Sequence, residues 1–148
     1  MINISSQYKR YLIKYYYLGT SKYFGSQRQP SFDTIEGEIV KALQEKNYVK
    51  NSEDSRLEFA SRTDRFVSAK GACFSFSTNK LPILMEINTA LPKEIGVWAM
   101  DEVPDDYLSR YNAIHRHYKY ILYRTDETNY ENLVNNLDLM KQACVALK

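Results

Sequence analysis

The chain has 148 residues, 44% of them apolar, and a formal net charge of +2; this is enough for one compact core and too little for two ordinary domains. No run reaches the roughly 20 apolar residues of a membrane-spanning helix, and residues 1–6 lack the zones of a signal peptide, so a cytoplasmic protein is expected. Cys73 and Cys144, with no Cys-x-x-Cys or His-x-x-x-His spacing, offer no zinc site; both are expected as small core residues, and neither metal, crosslink nor cofactor is called for.

In chain order, residues 8–18 carry aromatic or aliphatic bulk on both alternating faces and predict a strand. Residues 19–30, with two glycines and a proline, predict a long loop or tight hairpin. Asp33 and Glu36 have capping-box spacing ahead of Ile35, Ile39, Ala42 and Leu43, predicting a helix over 34–46. After a charged loop at 50–56, residues 57–60 predict a short strand feeding the loop 61–65. The alternation in 71–78 predicts a half-buried strand with an aromatic face. Pro82 suits a first helical turn and Pro92 stops a helix, giving 82–91. Residues 95–101 predict a strand, Pro104-Asp105-Asp106 opens a turn or short helix, and 116–124 predicts another strand. Thr128 and Glu131 have capping-box spacing before an apolar stripe of Leu133, Leu137, Met140, Cys144 and Leu147. The order β, α, β, β, α, β, β, α predicts an α+β fold: a mainly antiparallel sheet with helices on one face, built on a ferredoxin-like β-α-β-β-α-β core.

Charge is unevenly spread. Residues 1–32 contain Lys9, Arg10, Lys14, Lys22 and Arg28 and no acid; residues 107–125 contain Arg110, Arg116, Lys119 and Arg124 and no acid. The same stretches hold eleven of the thirteen tyrosines, and cations interleaved with aromatic rings suit RNA better than a membrane surface. Strands also favour tyrosine and solvated faces favour lysine, so composition alone leaves a purely structural role open.

The loop Ser61-Arg62-Thr63-Asp64-Arg65 sets one carboxylate between two guanidinium groups just after a short strand. It reads either as a nucleophile or base, or as a turn residue with surface ion pairs. It is part of one of four stretches that occur together: Tyr17-Leu18-Gly19-Thr20 with Tyr23-Phe24-Gly25-Ser26-Gln27 and Thr34-Ile35-Glu36-Gly37; the aspartate loop with Val67-Ser68-Ala69-Lys70-Gly71; Leu91-Pro92 with Val103-Pro104; and Arg110-Tyr111-Asn112-Ala113 with His117-Tyr118-Lys119-Tyr120. In this order, over residues 8–124, they resemble the tRNA pseudouridine synthase A family. The resemblance implies an isomerase that converts uridine to pseudouridine in tRNA, in the anticodon arm, as a homodimer. Asp64 matches the family's aspartate, Tyr118 its uracil-stacking tyrosine, and Arg62 the basic partner that helps expel the target base. Lys14, Lys22, Gln27, Arg28, Arg65 and Arg116 are the expected RNA contacts. His115 and His117, without a third ligand, are a poor metal site and are expected at the RNA face.

Two departures accompany the likeness. Phe66 stands where the family usually has glycine two residues after the aspartate, so either the loop differs in shape or Phe66 fills space left by a neighbouring strand. No counterpart of the family's second half precedes Lys148. Residues 1–125 are thus expected to be an N-terminal RNA-binding and catalytic-aspartate domain and 126–148 a C-terminal helix, with activity needing the family's other half. The alternative is a non-catalytic RNA-binding or dimerisation module of ferredoxin-like form.

Overall fold

The computed structural model describes residues 8–51, 53–121 and 138–142. The elements are β1 (Lys9–Tyr17), α1 (Ile35–Glu45), β2 (Glu58–Phe59), β3 (Ala69–Thr78), α2 (Leu84–Ala90) and β4 (Ile95–Val103). They form one sheet in the order β2-β3-β1-β4 with every pairing antiparallel. This is the expected β-α-β-β-α-β core.

The alternation in β1 decides which face is buried. Tyr11, Ile13, Tyr15 and Tyr17 point into a core shared with Phe74 and Phe76 of β3, Ile95 and Val97 of β4, Ile35, Ile39 and Leu43 of α1, and Ile87 of α2. The helices therefore cover this face. Tyr15 sits at its centre, edge-on to Phe74 at 5.5 Å and stacked on Tyr17 at 5.7 Å; burial pushes its phenol well above the usual tyrosine range. Four of the six tyrosines in the first basic stretch, Tyr11, Tyr15, Tyr17 and Tyr23, are thus core residues and offer no ring to a ligand. The other face of the sheet carries Lys14, whose ammonium lies 5.6 Å from the Trp98 ring. Cys73, opposite Lys14, is half-buried on that face and lies outside the expected core.

Arg10 also belongs to the interior. It is 2% exposed, and its guanidinium donates to the Tyr107 carbonyl (2.6 Å), the Arg56 carbonyl (3.1 Å), Ser75 Oγ (2.8 Å) and Ser77 Oγ (3.3 Å). Ser109 donates to Ser75, extending the network. Arg10 thereby fastens the turn 104–109 to the sheet, and it does so with hydrogen bonds to neutral acceptors.

Other expectations shift in detail. The N-cap of α1 is Thr34, whose Oγ1 accepts from the Gly37 N–H at 3.2 Å, and not Asp33; Glu36 is turned inward instead of closing a capping box. Pro82 precedes α2, which starts at Leu84 with Ile83 as an N-cap that gives no side-chain bond. The expected strand over 116–124 is absent from its described part: residues 115–121 form no ladder, and alternation becomes a strand only where a neighbour supplies hydrogen bonds. Residues 122–124 and most of the expected last helix lie outside the described residues, while 138–142 are helical. The chain divides into two compact units, Met1–Ile114 and His115–Lys148. Among the described residues no helix is long and apolar enough to cross a membrane.

Candidate active-site loop

The segment from Ser61 to Ser68 leaves β2 and enters β3, and the first long loop holds it from one side. Ser26 grips it three times: the Thr63 N–H donates to Ser26 Oγ at 2.7 Å, and the Ser26 N–H and Oγ donate to the Thr63 carbonyl at 3.0 Å and 3.4 Å. The Tyr17 hydroxyl, reaching out of the core, meets Thr63 Oγ1 at 2.6 Å. Further on, the Gly19 N–H donates to Ser68 Oγ at 3.0 Å, and Arg65 donates to the Ser21 carbonyl at 3.0 Å. Both neighbours of Asp64 are thus fixed to residues 19–26. In the sequence, Ser26 and Thr63 carry no signal beyond membership of the stretches that resemble the family.

Two glycines make this approach possible. Gly25 has φ +90° and a Cβ there would lie 3.0 Å from the Thr63 carbonyl oxygen; a Cβ on Gly19 would lie 2.4 Å from the Val67 oxygen and 2.6 Å from the Phe66 carbonyl carbon. The Gly19 obstruction is backbone and has no flexible end to give way. We expect Gly19→Ala to cost about 1–3 kcal/mol, measured by urea denaturation, and to loosen the 64–68 segment, read as faster amide exchange there.

Asp64 itself is exposed. Among the described residues its carboxylate has no hydrogen-bond or ion-pair partner, and only its backbone carbonyl is engaged, by the Val67 N–H at 3.4 Å. The alternative of a turn residue tied up in surface ion pairs is therefore not what the loop shows. Arg65, one of the two flanking cations, is occupied elsewhere: besides Ser21 it lies over the Phe24 ring at 4.1 Å and over Phe66 at 4.8 Å. Arg62 is exposed.

Phe66 adopts φ 66°, in the left-handed region. The loop keeps a shape that suits glycine and places phenylalanine in it, at a cost of roughly 1–2 kcal/mol. Nor does the ring fill a gap against a strand, because it is 61% exposed.

Glu36 lies behind the loop, nearly buried, with Oε2 accepting from the Arg28 N–H at 3.3 Å and Oε1 buried without a partner. Burial raises its pKa above the ordinary 4.5, opposed by the Arg28 backbone bond and by the charges of Arg62 and Arg28. A raised folded value means that its contribution to stability is complete below about pH 4.5 and is lost as pH rises through the folded value. Glu36→Gln should therefore gain stability over the parent at pH 7–8 and lose that advantage towards pH 4, as followed by melting temperature across this range.

The remaining expected contacts are dispersed. Lys14 is on the open sheet face; Lys22 lies over the Tyr23 ring at 5.0 Å; Gln27 and Arg28 are exposed in the first loop. Tyr118, 73% exposed, and Arg116 belong to the unit His115–Lys148, where the His115 and His117 rings are 6.0 Å apart. Among the described residues no three His, Cys, Asp or Glu side chains group as a metal site would need.

No protein-family model matches the chain. It is 40% identical over 115 residues to the tRNA pseudouridine synthase A of Methanosarcina mazei, covering 76% of this chain and 42% of that protein. The corresponding protein of Methanocella arvoryzae is 40% identical over 116 residues, 77% of this chain and 42% of its own length. Over the matched residues the chain is similar to the N-terminal portion of tRNA pseudouridine synthases A. The Methanothermobacter thermautotrophicus member, 37% identical over 118 residues, covers 80% of this chain and 42% of itself. The chain thus spans less than half the length of these curated relatives, and the match falls on their N-terminal portion.

Proposed function

We propose that this chain provides the aspartate-bearing part of a tRNA pseudouridine synthase, with Asp64 as the catalytic carboxylate. One observation supports this above the others: in a chain 40% identical over 115 residues to a tRNA pseudouridine synthase A, the loop 61–68 is fixed on both sides of Asp64 while the carboxylate itself is left exposed and, among the described residues, unpaired.

The reaction needs no redox partner or metal. The N1–C1′ bond of uridine breaks, the uracil turns, C5 bonds to C1′, the C5 proton leaves and N1 takes up a proton, so product and substrate have the same composition. A carboxylate serves as the covalent partner of base or sugar and splits one difficult step into two. A uridine within a stem or stacked loop must first be flipped out at a cost of a few kcal/mol; Arg62 takes the vacated place and Tyr118 stacks on the extruded ring. Lys14, Lys22, Gln27, Arg28, Arg65 and Arg116 contact the tRNA, whose anticodon arm holds the target. The acting form is a cytoplasmic homodimer without cofactor. Residues 1–125 form its N-terminal RNA-binding and aspartate domain, and the rest of the cleft comes from sequence corresponding to the remainder of the relatives.

The test is conversion of uridine to pseudouridine in a tRNA transcript, read by mass spectrometry of nucleosides after release, for the parent chain together with sequence corresponding to the remainder of the relatives and for the same protein carrying Asp64→Ala. Retained conversion in the variant would remove Asp64 from the mechanism. Loss of conversion with tRNA affinity intact is the expected pair of results; a non-catalytic RNA-binding module would show no conversion in either protein.

A further inference from the structure

Beside Asp64 the surface carries a feature that the reaction above does not use. The Phe32 and Phe24 rings are stacked at 4.4 Å with 30° between their planes, and the Arg65 guanidinium lies over Phe24 at 4.1 Å and over Phe66 at 4.8 Å. This continuous run of π faces draws on two loops far apart in sequence, and it is not core: Phe24 is 38%, Phe32 49% and Phe66 61% exposed.

Its parts are held in place. The Phe24 N–H donates to the Asp33 carbonyl at 2.9 Å, Gln29 donates its side-chain amide to the Phe24 carbonyl at 3.0 Å, and Gln29 bridges to Phe32, so the loop that presents both rings is closed on itself. Arg65 is anchored through Ser21. Phe66 keeps its ring in solvent on a left-handed backbone, which neither burial nor backbone preference explains. Strain of this kind collects where a side chain meets a ligand.

We propose that the run Phe32, Phe24, Arg65 and Phe66 is a stacking platform for an unpaired base of the tRNA next to the modified uridine. This rests on the reading of the chain as part of a tRNA-modifying enzyme and adds to it a subsite that depends on Phe66. Charge favours RNA as occupant over a second protein surface. Residues 20–28 carry Lys22 and Arg28 without an acid, and 61–68 carry Arg62 and Arg65 with Asp64 alone; a guanidinium set among exposed rings suits bases on a polyanionic backbone. Stacking on such faces tolerates any base, so the platform grips the flanking nucleotide without reading its identity.

The test measures the dissociation constant for an unmodified tRNA transcript at fixed salt. Phe66→Gly suits the backbone at that position and so remains folded; Phe32→Leu keeps apolar bulk but removes the π face. Each is expected to weaken binding about tenfold, while Phe66→Tyr stays within about twofold of the parent and the dependence on salt is unchanged, since no phosphate contact is lost. Parent-like affinity in both Phe66→Gly and Phe32→Leu overturns the proposal. So does a change of oligomeric state in sedimentation with affinity unaltered, which would give the rings to a second copy of the chain. If Asp64→Ala abolishes conversion while the phenylalanine variants bind as the parent does, the enzymatic reading stands and this one falls. If the parent together with sequence corresponding to the remainder of the relatives converts no uridine but the phenylalanine variants still bind more weakly, the platform stands and the enzymatic reading falls.

Discussion

Asp64→Ala is expected to lower pseudouridine formation at least about 10⁴-fold, the scale on which removal of a covalent partner acts, in the protein as the cell makes it. The same substitution should leave stability within about 0.5 kcal/mol, because the side chain is exposed and no hydrogen bond or ion pair in the described residues depends on it. This combination separates chemistry from structure: a large loss of conversion with an unchanged urea midpoint and an unchanged tRNA affinity comes from the reacting centre. Asp64→Asn, which keeps shape and removes the charge, should behave like alanine. A loss of less than tenfold for both would place the reaction on another group.

Arg10→Met should be the most destabilising single change in the sheet, by about 3–5 kcal/mol. The substitution keeps much of the aliphatic stem but takes away the donors that serve the Tyr107 and Arg56 carbonyls and the Ser75 and Ser77 hydroxyls. The sum of those losses is reduced by one gain. Burial lowers the Arg10 pKa, and the nearby charge of Arg56 lowers it further, against smaller help from Glu58 and Asp105, so removing the cation also removes a desolvation cost. Urea denaturation with a two-state fit gives the net effect. A loss below 1 kcal/mol would mean that holding the cation in place costs as much as its bonds return. Arg10→Lys should recover only part of the stability, because an ammonium cannot span acceptors arranged for a planar fork.

The two residues illustrate different limits of reading a sequence. Arg10 stands in a run of cations without acids, next to tyrosines, and composition places it on an RNA-binding surface. Its burial follows from Ser75, Ser77 and Ser109 arriving from distant parts of the chain, and nothing within ten residues of Arg10 announces them. Tyr15 and Tyr17 belong to the same basic, tyrosine-rich stretch and are core, because alternation shows that two faces differ without showing which one the helices cover. The exposed rings near Asp64 are phenylalanines, which composition did not distinguish.

By contrast, the first six elements were legible because each is decided locally. Ile35, Ile39 and Leu43 recur at helical spacing and are buried in α1; Tyr11, Ile13, Tyr15 and Tyr17 alternate and are buried in β1. The segment 116–121 alternates equally well and forms no strand among the described residues, since a ladder needs a partner that periodicity cannot supply.

The sequence by itself determined the types of the first six elements, the antiparallel α+β architecture and the presence of one aspartate between two arginines, because propensity, period and residue chemistry act within a few positions of each residue. Only the tertiary structure decided that Gly19 and Gly25 allow the first loop to grip both sides of Asp64, that Arg65 turns to Ser21 and the rings of Phe24 and Phe66, and that Arg10 is interior. Apart from the contact of Arg65 with its neighbour Phe66, those outcomes depend on contacts between residues some 40 to 100 positions apart, and it is the docking of finished elements that selects them.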